Sequence, residues 1–178
     1  WGRHPFADTY QMTAPFIPEA DGRILAHAQE LLSLGKSFGI CGPSGAGKTT
    51  LVSHLLSRLD TRDYKPYTVS YGGFNRAGLL RLLAEAMGVD PAGRSSPLLH
   101  RIHHQILQMT QANQSHHPLF IVDDAHLLER ESLLDLCALL ALPGRNTVAA
   151  SLILLGDETF PKLLSLRVMA PVFSRLAC

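Results

Sequence analysis

Residues 42–50 have the types and spacing that hold phosphate groups. They read GPSGAGKTT and fit the pattern GxxxxGK[ST]. Glycines let the backbone curl so that its N–H groups point at an anion, and a helix that starts after the loop presents its positive end there. Lys48 can then reach the β- and γ-phosphates of a nucleotide, and the Thr49 hydroxyl can ligate Mg²⁺. The predicted nucleotide-binding residues are Gly42, Pro43, Ser44, Gly45, Ala46, Gly47, Lys48, Thr49 and Thr50.

A glycine-rich turn that binds nothing is the alternative interpretation of this loop. The residues before it, KSFGIC, form a β-type run, and those after it, TTLVSHLLSRLD, have the apolar spacing of an amphipathic helix. A strand, then the loop, then a helix is the context in which this motif binds phosphate. We therefore favour the nucleotide site.

Two carboxylates at the end of a later apolar run complete the expected site. PLFIVDDAH, residues 118–126, is typical of a strand buried on both faces. A phosphate-binding loop needs a carboxylate at the end of a neighbouring strand to support Mg²⁺. We predict Asp123 for that metal-side role and Asp124 as the general base that orients the attacking water. The alternative is that both carboxylates cap the following helix.

The elements that must position these groups alternate between strand and helix along the chain. The predicted strands are 36–41, 64–71, 118–124 and 151–157, and the predicted helices are 23–34, 49–60, 76–89, 98–111 and 126–142. Such alternation predicts an α/β fold, a parallel sheet with helices on both faces. We expect residues 1–22 to form an extended leader packed on this core, which covers 23–178.

Composition narrows the possible environments and partners. Hydrophobic residues make up 46% of the 178 positions and the net charge is +1, so nucleic-acid contact would require a local patch or several copies. No apolar run approaches the roughly 20 residues of a membrane span. The three cysteines form no CxxC pair, which favours a reduced, cytoplasmic compartment. Cys41 and Cys137 lie in apolar runs, and we predict that both are buried.

These motifs together resemble those of the AAA+ ATPases. HPF, the GxxGxGKT loop, IVDDAHLL and LILLGDETF are similar to the subgroup that contains TnsC/TniB-type transposition regulators and the ExeA-like type II secretion ATPase. The resemblance implies a P-loop NTPase core that binds ATP with Mg²⁺. It also implies that the C-terminal lid is largely absent from this sequence, and we expect the fifth strand of the sheet to be missing too.

One departure from the family pattern affects the expected rate. The family usually has Glu at the position of Asp124, and Asp is one methylene shorter. A catalytic carboxylate displaced by about 1 Å can cost on the order of 100-fold in rate. The resemblance therefore implies slow, oligomer-dependent hydrolysis, suited to a timer or switch.

The resemblance also assigns roles beyond the loop. Asp157, after the strand SLILLG, corresponds to the residue that senses the γ-phosphate, although it can instead cap the next helix. Arg175 is implied as the arginine that reaches a neighbouring subunit's nucleotide, with Arg167 and Arg145 as rivals. Each arginine has a plain alternative as a solvated surface residue.

A DNA-contacting edge is implied after the second strand. Asn75 and Arg76, with Arg81 further along the helix, are the candidate DNA-binding residues. One or two such contacts per subunit matter only when several subunits surround the duplex in a ring or filament. The alternative is a capped helix with exposed arginines.

The histidines carry weaker signals. His100, His103 and His104 share one helix face, and a polar face is favoured over a metal site because no cysteine is near. His126 follows the carboxylate pair, as a coupling residue or at a helix start.

Three functions are consistent with these residues. The first is an ATPase that assembles on double-stranded DNA without sequence preference, regulates transposition and recruits a transposase. The second is a secretion-associated ATPase that helps a secretin assemble at the inner membrane. The third is a nucleotide-binding module that never hydrolyses.

Overall fold

The computed structural model describes residues 19–70, 73–111, 116–140 and 149–177. The strands are β1 Ser37–Cys41, β2 Tyr64–Ser70, β3 His117–Asp123, β4 Ser151–Gly156 and β5 Leu176–Ala177. The helices are α1 Glu19–Ser33, α2 Lys48–Arg58, α3 Arg76–Ala86, α4 Ser95–Gln111, α5 Arg130–Leu139, α6 Phe160–Leu164 and α7 Ala170–Phe173. Short 3₁₀ turns cover Ala125–Leu127 and Arg167–Met169. Residues 1–18 of the expected leader lie outside the described residues, and α1 begins inside its last part.

The five strands form one parallel sheet in the order β2-β3-β4-β1-β5. The predicted parallel sheet is confirmed. The expectation that a fifth strand is missing was wrong, because Leu176 and Ala177 pair with Ser37 and Phe38 at the outer edge of β1. A strand of two residues is too short to show any periodicity in sequence.

Helices cover both faces of the sheet, as predicted. On one face α1 and α2 bury Leu25 and Leu55 against the sheet. On the other face α3, α4 and α5 enclose the larger core. Successive residues of β3 point to opposite faces, so Ile121 belongs to the first core and Phe120 to the second. This explains why β3 is apolar from Pro118 to Val122.

The two cysteines among the described residues differ in exposure. Cys137 is buried in α5, as predicted, whereas Cys41 is exposed, so the prediction for that residue was wrong. Cys41 lies at the end of β1, where the chain leaves the sheet, and its partner in β4 is Gly156, which has no side chain to cover the thiol. Within the described ranges, no helix is long and apolar enough to cross a membrane.

Gly156 is the last residue of β4, and the packing around it leaves no room for a side chain. A Cβ at this position would lie 2.5 to 2.6 Å from atoms of Phe160, which is fully buried. We expect Gly156→Ala to lower the free energy of unfolding by about 1–3 kcal/mol through overpacking. Urea denaturation measures this change.

A matched control is available on α1, where a Cβ added at Gly22 meets nothing within 4 Å. Gly22→Ala is expected to raise stability by roughly 0.5–1 kcal/mol, since alanine is the better helix former. Equal stability of the two variants would contradict the steric argument.

Candidate nucleotide-binding site

The loop between β1 and α2 is shaped by glycines in the left-handed region. Gly45 and Gly47 have φ of +78° and +81°, a conformation that glycine adopts without steric cost. Gly47 immediately precedes α2, and its carbonyl accepts the backbone hydrogen bond from Leu51 at 2.8 Å. The first N–H groups of α2 have no partner inside the helix. This end of α2 therefore offers donors and a positive dipole to an anion.

The Lys48 side chain folds back over the phosphate loop that precedes it. Its Nζ donates to the carbonyl oxygens of Gly42 and Pro43, each at 2.9 Å. The ammonium group thus remains at the mouth of the loop, held by neutral acceptors rather than by a carboxylate. A phosphate oxygen, which carries charge, is a stronger partner for an ammonium group than a carbonyl.

Thr49 and Asp123 meet although they are far apart in sequence. The Thr49 hydroxyl donates to Asp123 Oδ2 at 2.7 Å. The other oxygen of Asp123 accepts from the backbone N–H of Asp124 at 2.9 Å. A hydroxyl and a carboxylate, both hard oxygen donors, suit Mg²⁺, so these two residues fit the predicted metal.

An open cavity of about 360 Å³ brings these groups together. Its lining residues are Ser44, Gly45, Gly47, Lys48, Thr49, Thr50, Asp123 and Asp124. The volume is within the range of small-molecule sites. The structure therefore gathers most of the predicted loop residues with both predicted carboxylates around one space, while Gly42 and Pro43 supply the acceptors for Lys48.

Asp124 has a left-handed backbone, with φ 53° and ψ 36°. Among the described residues it is the one non-glycine with positive φ. The chain then makes the 3₁₀ turn Ala125–Leu127 before α5 begins at Arg130. The predicted continuous helix over 126–142 was therefore wrong. Ala125 and Leu128 are both buried, so the turn contributes two side chains to the core.

Asp157 caps the turn that leads into α6. Its Oδ1 accepts from Thr159 N at 2.8 Å, from Thr159 Oγ1 at 2.6 Å and from Phe160 N at 3.2 Å. The hydrogen bond from the Thr159 side chain is the main cause that holds the pKa of Asp157 below its usual range. The capping alternative thus describes its contacts, and the role toward γ-phosphate stays a prediction.

Two of the three arginines implied for a neighbouring subunit lie within the described residues. Arg175 and Arg167 are both exposed near the end of the described chain, and Arg145 lies outside the described residues. Neither Arg175 nor Arg167 lines the cavity, as expected for a group that would act on another subunit's nucleotide. Their role stays a prediction.

The predicted DNA-binding residues have structural contacts of their own. The Asn75 side chain caps α3 by accepting from Gly78 N at 3.0 Å. Arg76 donates through Nε and Nη2 to both oxygens of Asp135, at 2.6 and 2.8 Å. Arg81 is exposed on the same helix. Sequence reasoning missed the Arg76 pair, although a lone carboxylate in the apolar segment LLDLC requires a partner.

The Arg76 pair makes a testable contribution to stability. The Asp135 side chain is 8% exposed and that of Arg76 is 48% exposed. We expect Arg76→Ala to lower the free energy of unfolding by about 2 kcal/mol, because it leaves a buried carboxylate without its hydrogen bonds. Arg81→Ala, one turn further along, should change it by less than about 0.5 kcal/mol. Chemical denaturation of both variants measures the difference, and equal values would contradict a structural role for the pair.

The helical histidines make protein contacts of an ordinary kind. His103 Nε2 lies 2.7 Å from the carbonyl oxygen of Ala138, which joins α4 to α5. His100 and His104 border a shallow surface cavity with Arg101. No group of three or more His, Cys, Asp or Glu side chains in the described ranges is arranged to hold a metal ion.

Known proteins share this architecture. The AAA domain family matches residues 33–164. The ORC2 protein of Aeropyrum pernix is similar in structure, with a TM-score of 0.72 and 18% identity over 97% of this chain and 49% of that protein. Cdc6p of Pyrobaculum aerophilum has a TM-score of 0.71 at 14% identity, over 96% of this chain and 47% of its own. Drosophila ORC bound to AT-rich DNA and Cdc6 has a TM-score of 0.60 at 11% identity, over 86% of this chain and 52% of the matched chain.

The solved structures, the sequence relative and the family match support different conclusions. At such identities the solved structures show the fold, and this chain spans about half the length of each. Midasin of Giardia intestinalis is 35% identical over 51 residues, which are 29% of this chain and 1% of Midasin. The family match is broader, since it contains both the phosphate loop and the carboxylate pair. The chain belongs to the AAA domain family, and its α/β core is that of an AAA+ P-loop NTPase.

Proposed function

We propose that the protein binds ATP with Mg²⁺, hydrolyses it slowly, and assembles on double-stranded DNA to regulate transposition and recruit a transposase. The observation that carries the nucleotide part is the contact of Thr49 with Asp123 beside the glycine loop. It supports the assignment of these two residues as magnesium ligands. The A. pernix ORC2 protein, which shares the fold, was solved in ADPNP and ADP complexes, and this supports an adenine nucleotide here.

The roles of the residues follow from their positions. Loop residues 42–50 surround the phosphates, and Lys48 exchanges its carbonyl partners for phosphate oxygens. Thr49 and Asp123 hold Mg²⁺, which neutralises charge on the phosphates when it is bound. Asp124, exposed at the cavity, accepts a proton from the attacking water and orients it.

Completion of the site depends on a second subunit in this proposal. Arg175 lies on the surface, where it is free to reach a neighbouring copy and neutralise charge that develops in the transition state. Self-association into a ring or filament therefore precedes hydrolysis. A cytoplasmic location accords with a DNA partner.

DNA contact is assigned mainly to Arg81 in this proposal. Asn75 already caps α3, and Arg76 has two of its nitrogens on Asp135, so Arg76 retains Nη1 for a phosphate. Drosophila ORC, which shares the fold, is bound to AT-rich DNA in its structure. With a net charge of +1 on the chain, strong binding requires several subunits along the duplex.

The test is fluorescence anisotropy of labelled random-sequence duplex DNA at low salt, with ATP, with ADP and without nucleotide. We expect cooperative binding that appears with ATP and weakens as salt is raised. Arg81→Gln should weaken binding, whereas Arg58→Gln should not. Arg58 is an exposed arginine on α2, a helix packed on the opposite face of the sheet.

Other outcomes would point to the remaining functions. Absence of DNA binding in every nucleotide state would contradict the transposition proposal, and co-sedimentation with membranes would then favour the secretion-associated ATPase. Nucleotide binding without turnover in a single-turnover assay would favour a module that never hydrolyses.

A further inference from the structure

His126 lies between the carboxyl ends of β3 and β4. It is the second residue after Asp124, in the 3₁₀ turn that ends at Leu127. Its Nε2 is 3.6 Å from Asp157 Oδ2, and its side chain is 17% exposed. The turn after β3 therefore directs one imidazole nitrogen toward Asp157, the residue that follows the neighbouring strand β4.

The two oxygens of Asp157 have different partners. Oδ1 is held by the three donors of Thr159 and Phe160. Oδ2 faces His126. Because Oδ1 is fixed by the start of α6, the carboxylate cannot rotate freely, and Oδ2 keeps its direction toward the imidazole.

The second imidazole nitrogen shows that packing alone does not explain a histidine here. His126 Nδ1 is buried and has no hydrogen-bond partner among the described residues. A buried polar atom without a partner is unfavourable, and an apolar side chain of similar size would avoid that cost. The contact with Asp157 through Nε2 is the feature that an apolar residue would lack.

The position has a direct bearing on the candidate site. Asp124, two residues earlier, lines the cavity, and Asp157 directly follows β4, the strand next to β3. The contact between His126 and Asp157 therefore links the turn that follows β3 to the turn that follows β4, beside the cavity that Asp124 lines.

We propose that His126 is a positioning residue for ATP hydrolysis, which acts through the contact of its Nε2 with Asp157 Oδ2 and so restrains the turn that carries Asp124. This inference rests on the proposed ATPase function. His126 does not touch the reacting atoms in this role. It lowers the mobility of the turn that carries Asp124, so its loss affects the chemical step more than nucleotide binding.

Two amide substitutions distinguish the role of Nε2 from that of Nδ1. In His126→Gln the side-chain amide reaches the Nε2 position, and in His126→Asn it reaches only the Nδ1 position. We expect His126→Asn to lower kcat by about 10-fold with KM for ATP changed less than about twofold. His126→Gln should remain within about threefold of the wild-type protein. Leu127→Ala, in the same turn and exposed, is the control and should leave kcat unchanged.

A double-mutant cycle with Asp157→Asn tests the partner. If the two residues act through one contact, His126→Asn adds little to the loss caused by Asp157→Asn. Thermal melting of each variant separates an effect on folding from one on the chemical step. Equal kcat values for the Gln and Asn variants, or full additivity with Asp157→Asn, would overturn the inference while leaving the ATPase proposal intact. Failure of the wild-type protein to hydrolyse ATP would overturn both.

Discussion

Lys48→Ala is expected to abolish measurable ATP binding, with Kd raised by on the order of 100-fold or more. In the structure the ammonium group donates to two carbonyl oxygens of its own loop. A nucleotide offers it charged acceptors instead, and charge-assisted hydrogen bonds are about twice as strong as neutral ones. Titration of a fluorescent ATP analogue into the wild-type and variant proteins measures the change.

The loss should not come from misfolding, because Lys48 is only partly buried and its partners are backbone carbonyls near the surface. The thermal midpoint of the variant should therefore stay within a few degrees of the wild-type value. Lys36→Ala replaces an exposed lysine just before β1 and serves as the matched control. Unchanged ATP affinity in Lys48→Ala would refute the assignment of this loop to phosphate binding.

Asp124→Asn is expected to leave ATP binding nearly unchanged and to reduce hydrolysis by on the order of 100- to 10,000-fold. Asparagine has the same shape as aspartate and also tolerates the left-handed backbone found here. The substitution therefore removes the proposed proton acceptor without disturbing the turn. A single-turnover assay at saturating ATP separates the chemical step from binding.

Asp123→Asn provides the contrasting variant. Asp123 accepts from Thr49 and is assigned to the metal, so its loss should raise the Mg²⁺ concentration needed for half-maximal activity. Asp124→Asn should leave that concentration unchanged. Normal hydrolysis by Asp124→Asn would show that the general base lies elsewhere.

The sequence predicted those parts of the molecule in which a local pattern has one structural solution. The glycine loop with Lys48 and Thr49 requires a strand before it and a helix after it, and both are present. The alternation of apolar segments predicted the parallel sheet. Asp123 was recognisable because a carboxylate pair at the end of a fully apolar strand must face the carboxyl edge of the sheet.

Features that depend on tertiary contact were not predictable in the same way. Arg76 and Asp135, which are 59 positions apart in sequence, join α3 to α5. Strand β5 is defined by its pairing with β1 rather than by a pattern in its two residues. The predicted helix over 126–142 begins only at Arg130, and Ala125 and Leu128 in the turn before it are buried in the core. In each case the decisive interaction is with a segment that is distant in sequence, so no window along the chain contains the signal.

The left-handed backbone of Asp124 also limits which substitutions are accessible to natural variation at this position. Asp, Asn and Gly occupy that conformation at little cost, whereas longer side chains are strained by roughly 1–2 kcal/mol. Glutamate would extend its carboxylate one methylene further into the cavity, but it would have to overcome that penalty. A longer side chain at position 124 therefore gains reach only at the cost of strain in the turn that carries it.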